Sequence, residues 1–136
     1  MRQKRRVLLV ESDAPTLKSI RDVLQREFEV MNSSSSEDAL DLLENQDTDC
    51  IIVDLRMPGM SGIDFVKEVR EWNGGVAVIL VGKEVDELEW LEAINAGANA
   101  LISKPFTKDK IVKAVHKAIK ENGFYPSNGT TDQPAF

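Results

Sequence analysis

Four short apolar runs, at residues 7–10, 50–53, 76–81 and 100–102, are rich in branched side chains and do not alternate with polar ones. Strands covered on both faces read this way. A fifth and weaker run spans residues 28–31. Between the runs, apolar positions recur with helical spacing at 15–26, 37–45, 62–72, 86–96 and 108–122. Local signals agree with several of these helices. Asp13 stands just ahead of Ala14 and Pro15, and Ser35 is followed three residues later by Asp38, both patterns of helix starts. Gly97 and Gly123 each follow a helical stretch where a left-handed residue is wanted, and Pro105 comes just after a strand.

Strand and helix therefore alternate five times. Strict alternation with buried strands predicts a parallel sheet with right-handed crossovers and helices on both faces, a doubly wound α/β fold. For five such units the common arrangement is the flavodoxin-like strand order 2-1-3-4-5. Its ligand site lies at the carboxyl ends of the strands where the order reverses, between strands 1 and 3.

Composition narrows the function class. A chain of 136 residues suffices for one domain with a full core and is short for two, and its 42% apolar and 29% charged content suits a globular protein rather than a disordered chain. We place the domain at residues 1–122 and read 123–136, where Pro, Ser, Asn, Gly and Thr lose all periodicity, as a flexible tail or linker stub. A net charge of −6 argues against a nucleic-acid footprint, so the basic run at residues 2–6 reads as a solvated arm leading into the first strand. The apolar run after it stops at Glu11, too soon for a signal peptide or a membrane span, which leads us to expect a cytoplasmic protein. Cys50 has no second cysteine to pair with and sits in an apolar run, as a packed core thiol does.

Three features converge on the carboxyl edge: Glu11, Ser12 and Asp13 after strand 1, Asp54 at the end of strand 3, and Lys104 at the end of strand 5. Together they supply carboxylate oxygens for a hard divalent cation and an ammonium for an incoming anion. An aspartate carboxylate so placed can attack a phosphoryl group, with the cation and Lys104 neutralising charge on the transferring oxygens.

The segment Ile51-Ile52-Val53-Asp54-Leu55-Arg56-Met57-Pro58-Gly59-Met60-Ser61-Gly62 resembles the phosphorylation-site segment of response-regulator receiver domains, and Lys104-Pro105-Phe106 resembles the family's other signature. Val7 to Glu11, Ala39-Leu40 and Ala96-Gly97-Ala98 fall in the same order, so the resemblance covers about residues 4–121. Members of that family themselves exemplify the 2-1-3-4-5 order, so strand order and resemblance are one argument and not two. The resemblance implies a signalling domain of a two-component phosphorelay and not an enzyme. It makes Asp54 the phosphoryl acceptor, Lys104 the partner of a phosphoryl oxygen, and Glu11, Asp54 and the main-chain carbonyl of Arg56 ligands of Mg²⁺, with Ser12 or Asp13 as a further candidate. It also implies a cis peptide before Pro105 and a donor histidine kinase or phosphotransferase. The chain's single histidine, His116, falls in the last helix as an exposed residue.

Three positions depart from the family pattern. Receivers carry two adjacent acids after strand 1, but the second position here is Ser12, and Asp13 is better placed to cap the first helix than to bind metal. The switch hydroxyl at the end of strand 4 falls on Val81, and the switch aromatic of strand 5 falls on Leu101. Two readings follow: a receiver that accepts phosphate on Asp54, and a phosphorylation-independent pseudo-receiver acting as a protein-interaction module. A flavin- or nucleotide-binding domain is disfavoured, because no Gly-rich loop follows strand 1 and the Gly59 to Gly62 loop suits a turn. The downstream partner is not encoded in any motif. A homodimer face could lie at Trp90 and Leu91, although apolar residues on a helix are more often core.

Overall fold

The computed structural model describes residues 4–124, with side chains as far as Glu121, and residues 125–136 of the expected tail lie outside it. Its strands are β1 (Arg6–Val10), β2 (Glu29–Ser33), β3 (Cys50–Asp54), β4 (Ala77–Lys83) and β5 (Ala100–Lys104). The helices are α1 (Ala14–Leu24), α2 (Ser36–Asn45), α3 (Gly62–Trp72), α4 (Glu87–Ala96) and α5 (Lys108–Phe124). All strand pairs are parallel, and the order is β2-β1-β3-β4-β5, as the alternation predicts.

The sheet separates two apolar layers. Leu8, Val10, Ile51, Val53, Val78 and Leu80 face α2, α3 and α4 and pack with Phe65, Val69 and Ala93. Val7, Leu9, Ile52, Ile79 and Ile102 face α1 and α5 and pack with Leu24, Ile111 and Val115. The period of two along each strand puts consecutive residues into opposite layers, which is why the strand runs are apolar throughout. Cys50 is fully buried among the second set, and burial, with a smaller effect from Asp49, pushes its thiol up so that it stays protonated.

The helix starts follow their capping residues. Asp13, Ser35, Ser61 and Asp86 each accept from a backbone N–H in the first turn, and Asp86 and Glu89 complete a reciprocal capping box. Gly97 closes α4 at φ 104°, in the left-handed region. Gly123 does not stop α5, which runs through it to Phe124. The 28–31 run is displaced: Phe28 is buried in the turn after α1, donating its N–H to the Leu24 carbonyl, and the strand starts at Glu29. Arg6 is the first residue of β1 and pairs with Glu29, so the basic run is not wholly an arm. Leu91 is 57% exposed and not core, whereas Trp90 packs against the α2/α3/α4 layer. Among the described residues no helix is long and apolar enough to cross a membrane.

Gly62, the first residue of α3, lies where the loop after β3 turns back under its own strand. A Cβ there would sit 2.5 Å from the Asp54 carbonyl oxygen and 2.8 Å from the Leu55 Cα, both backbone atoms. Gly62→Ala is therefore expected to cost about 1–3 kcal/mol through overpacking, read as a lower urea midpoint. An unchanged midpoint would mean that the loop after β3 can move aside.

Candidate functional site

Asp54 ends β3, Glu11 follows directly on β1, and Lys104 ends β5. Counting alternation from Ile52, Leu9 and Ile102 puts all three on the α1/α5 side of the sheet. β1 and β3 are neighbours, whereas β5 lies beyond β4, so the lysine's long stem must cross the end of β4 to reach the acids. It does so. Lys104 Nζ donates to Glu11 Oε1 at 3.0 Å and to Asp54 Oδ2 at 2.5 Å. The Lys104-Pro105 peptide is cis, as expected.

The other oxygens of both acids are held by backbone. Asp54 Oδ1 accepts from the Arg56 N–H at 2.7 Å, and Glu11 Oε2 accepts from the Asp13 N–H at 3.2 Å. Glu11 and Asp54 are only 3% and 7% exposed. Burial pushes the Glu11 carboxyl above the usual carboxylate range, with Asp54 adding to the rise, while the Lys104 hydrogen bond and the Asp13 N–H pull back. For Lys104, burial acts downward, but its hydrogen bonds and charge interactions with Asp54 and Glu11 outweigh it and raise the ammonium's pKa. The result is one cation between two nearly buried anions at the reversal point of the strand order.

Asp13 is committed to α1: its Oδ2 accepts from the Thr16 N–H at 3.1 Å and from the Thr16 hydroxyl, and these bonds lower its pKa. Ser12 is exposed beside the edge. Among the described residues no cluster of three or more His, Cys, Asp or Glu side chains could hold a metal. The two carboxylates that do converge, with the Arg56 carbonyl, are hard oxygen donors that suit Mg²⁺, an ion that keeps several of its waters. Glu11, Asp54 and that carbonyl would hold it, and the ion would supply charge neutralisation for an anionic substrate.

The two switch positions are differently placed. β4 continues to Lys83, so Val81 does not end the strand but lies inside it, opposite Asp54 in register and 1% exposed. Neither Val81 nor Gly82 nor Lys83 carries a hydroxyl. Leu101 packs in the α2/α3/α4 layer at 6% exposure. Sequence reading missed the side chain of Arg56. Its Nη1 donates to Glu89 Oε2 at 2.6 Å and its Nη2 to Glu89 Oε1 at 3.0 Å, while Nε and Nη2 reach the carbonyls of Lys83 and Glu84. The Asp86 to Glu89 spacing signals a capping box but not this distant partner. His116 is exposed on α5 and bonds Glu27 Oε1 at 2.8 Å. A cleft of about 470 Å³ opens at Lys104, lined by Pro15, Ile20, Pro105 and Phe106 together with Thr16, Ser19 and Lys83.

This architecture is shared. The family model described as the response regulator receiver domain matches residues 7–116. The chemotaxis protein CheY of Halobacterium salinarum is 29% identical over 82% of the chain and 93% of that protein. The hydrogenase transcriptional regulatory protein HoxA of Cupriavidus necator is 33% identical over 86% of the chain and 24% of that protein. The chain spans about a quarter to a half of the length of the first curated relatives it matches. A CheY-like receiver domain protein from Methanospirillum hungatei superposes with a TM-score of 0.85 at 23% identity, covering 90% of the chain and 98% of that structure.

Proposed function

The chain belongs to the response-regulator receiver family, and on that footing we propose that it accepts a phosphoryl group on Asp54 from the phosphohistidine of a histidine kinase or phosphotransferase. The observation that carries this reading is the convergence of Asp54, Glu11 and Lys104 at one strand edge, with Lys104 Nζ bonded to both acids. A fold kept only as a scaffold has no use for two nearly buried carboxylates tied by a single ammonium.

In the proposed transfer, Asp54 Oδ attacks phosphorus. A P–O bond to the carboxylate forms, the P–N bond to the donor imidazole breaks, and the imidazole leaves with its electron pair. The Arg56 N–H holds Oδ1, which leaves Oδ2, now bonded to Lys104, as the attacking atom. Lys104 then passes from that oxygen to one on the phosphoryl group, and its bond to Glu11 keeps it within reach. Mg²⁺ bound at Glu11, Asp54 and the Arg56 carbonyl would neutralise the remaining phosphoryl charge. The chain's own histidine is engaged by Glu27, so the donor comes from a partner, for which the cleft beside Lys104 offers an apolar seat.

One observation favours a second reading. No hydroxyl stands at the end of β4, and β5 carries Leu101 where the family has an aromatic ring, as a phosphorylation-independent interaction module would allow. Intact-mass analysis after incubation with a small-molecule phosphodonor and Mg²⁺ separates the two. We expect uptake of one phosphoryl group. Absence of uptake, together with a silent Mg²⁺ titration, would establish the pseudo-receiver instead.

The metal site makes its own prediction. Because Asp13 is spent on the cap and Ser12 is neutral, Ser12→Asp should tighten Mg²⁺ binding by restoring a hard anionic ligand. Unchanged affinity in a calorimetric titration would show that another group already fills that place.

A further inference from the structure

Arg56 stands two residues after the acceptor and is bonded at both ends. Its backbone N–H holds Asp54 Oδ1 at 2.7 Å, while its guanidinium forks onto both oxygens of Glu89 in the first turn of α4. The same guanidinium caps the Lys83 carbonyl at the end of β4 and the Glu84 carbonyl in the loop that leads to α4. Glu84 in that loop has φ 53°, a left-handed backbone that a residue with a side chain adopts only when its surroundings hold it there. Glu89 in turn accepts the Asp86 N–H at 3.2 Å and so belongs to the cap of α4. One residue thus reaches the acceptor carboxylate through its backbone N–H and the loop and helix start through its planar guanidinium. Val81, which is core, and Gly82, which has no side chain, could not perform such a task.

We propose that the Arg56–Glu89 pair is the link through which the state of Asp54 is passed to the loop at residues 83–86 and the first turn of α4. The proposal rests on the acceptor reading and supplies the coupling element that the missing hydroxyl leaves open. An acyl phosphate on Oδ2 turns Oδ1, which the Arg56 N–H holds, from a carboxylate oxygen into a neutral acyl carbonyl oxygen, and it places new anionic oxygens beside the same residue, in competition with Glu89. A fork that bonds Glu89 in two places depends on the orientation of both groups, so a guanidinium drawn toward the phosphoryl oxygens releases it. The loop and the helix start then lose their shared tie.

The test compares wild type with Glu89→Gln, first confirming phosphoryl uptake of each by intact mass and then following amide hydrogen exchange across residues 83–91. Gln keeps an oxygen for the Asp86 N–H, so the helix cap survives while the ionic fork is lost. Uptake should speed exchange in this segment of wild type by about fivefold or more, the lower end of ordinary coupling energies. Glu89→Gln should start in the faster state and change little on uptake, and Glu89→Lys, which repels Arg56, should be fast from the outset. An equal response in Glu89→Gln, or no response in labelled wild type, overturns the link. Absence of label in wild type takes down the acceptor reading and the link together, and the mass spectrum shows that it was the first that failed.

Discussion

Asp54→Asn is expected to abolish phosphoryl uptake altogether while leaving a cooperative urea transition. Asn preserves the shape of the side chain, and its carbonyl oxygen can still accept the Arg56 N–H that now bonds Oδ1. Lys104 keeps its 3.0 Å bond to Glu11, so the edge of the sheet stays tied. What disappears is the nucleophilic carboxylate oxygen, for which the amide nitrogen at that place is no substitute. Intact mass after donor treatment reads the outcome, and a phosphoryl adduct persisting in the variant would remove Asp54 from the acceptor role.

The second large effect concerns stability. Lys104→Met retains most of the stem but leaves two carboxylates, 3% and 7% exposed, facing each other without a cation. Removing one member of a buried ionic group costs about 3–5 kcal/mol, and because Lys104 is itself 23% exposed the lower figure, about 3 kcal/mol, is the appropriate one. The loss should depend on pH in a definite direction. Burial already raises the Glu11 carboxyl, and the variant removes the hydrogen bond and charge that oppose the rise. A carboxyl whose pKa is higher folded than unfolded favours the folded state at low pH, and that contribution is lost as pH rises through the folded value. The deficit of Lys104→Met should therefore be smaller at about pH 5 than at about pH 8. Urea midpoints at the two pH values measure this, and a deficit independent of pH would show that lost packing and not charge is responsible.

Most of the architecture was legible because buried parallel strands and amphipathic helices leave unlike patterns in the chain. The misplacements have physical causes. β2 is an edge strand with two exposed and two half-buried residues among its five, so its apolar signal is weak and is extended by Phe28, which belongs to the turn beside it. β4 and β5 run two residues past their apolar stretches, through Gly82-Lys83 and Ser103-Lys104, because strand ends that serve a polar edge cannot themselves be apolar. Val81 for this reason ends the apolar run without ending the strand. Leu91 misled through composition: α4 buries Ala93 and Ala96, small residues that let the helix lie close, and turns its larger Leu88 and Leu91 outward. Within the site, Glu11, Asp54 and Lys104 were legible from strand ends and Asp13 from helix capping. Arg56 to Glu89 was not, since a salt bridge across 33 residues leaves no local periodicity.

The lysine that ties the site also dates it. Its two bonds span 93 and 50 positions along the chain, and the strand that bears it is the last of the five. Closing contacts between such distant points is entropically slow, and during refolding the central pair β1 and β3 can form before β5 arrives at its edge. The tie should therefore be absent from the folding transition state, so that loss of the ammonium hastens unfolding and hardly slows refolding. A nascent chain halted before β5 would hold both acids and no counterion. The tied edge comes into being only when the sheet is complete, and until then the two acids stand without the ammonium that joins them.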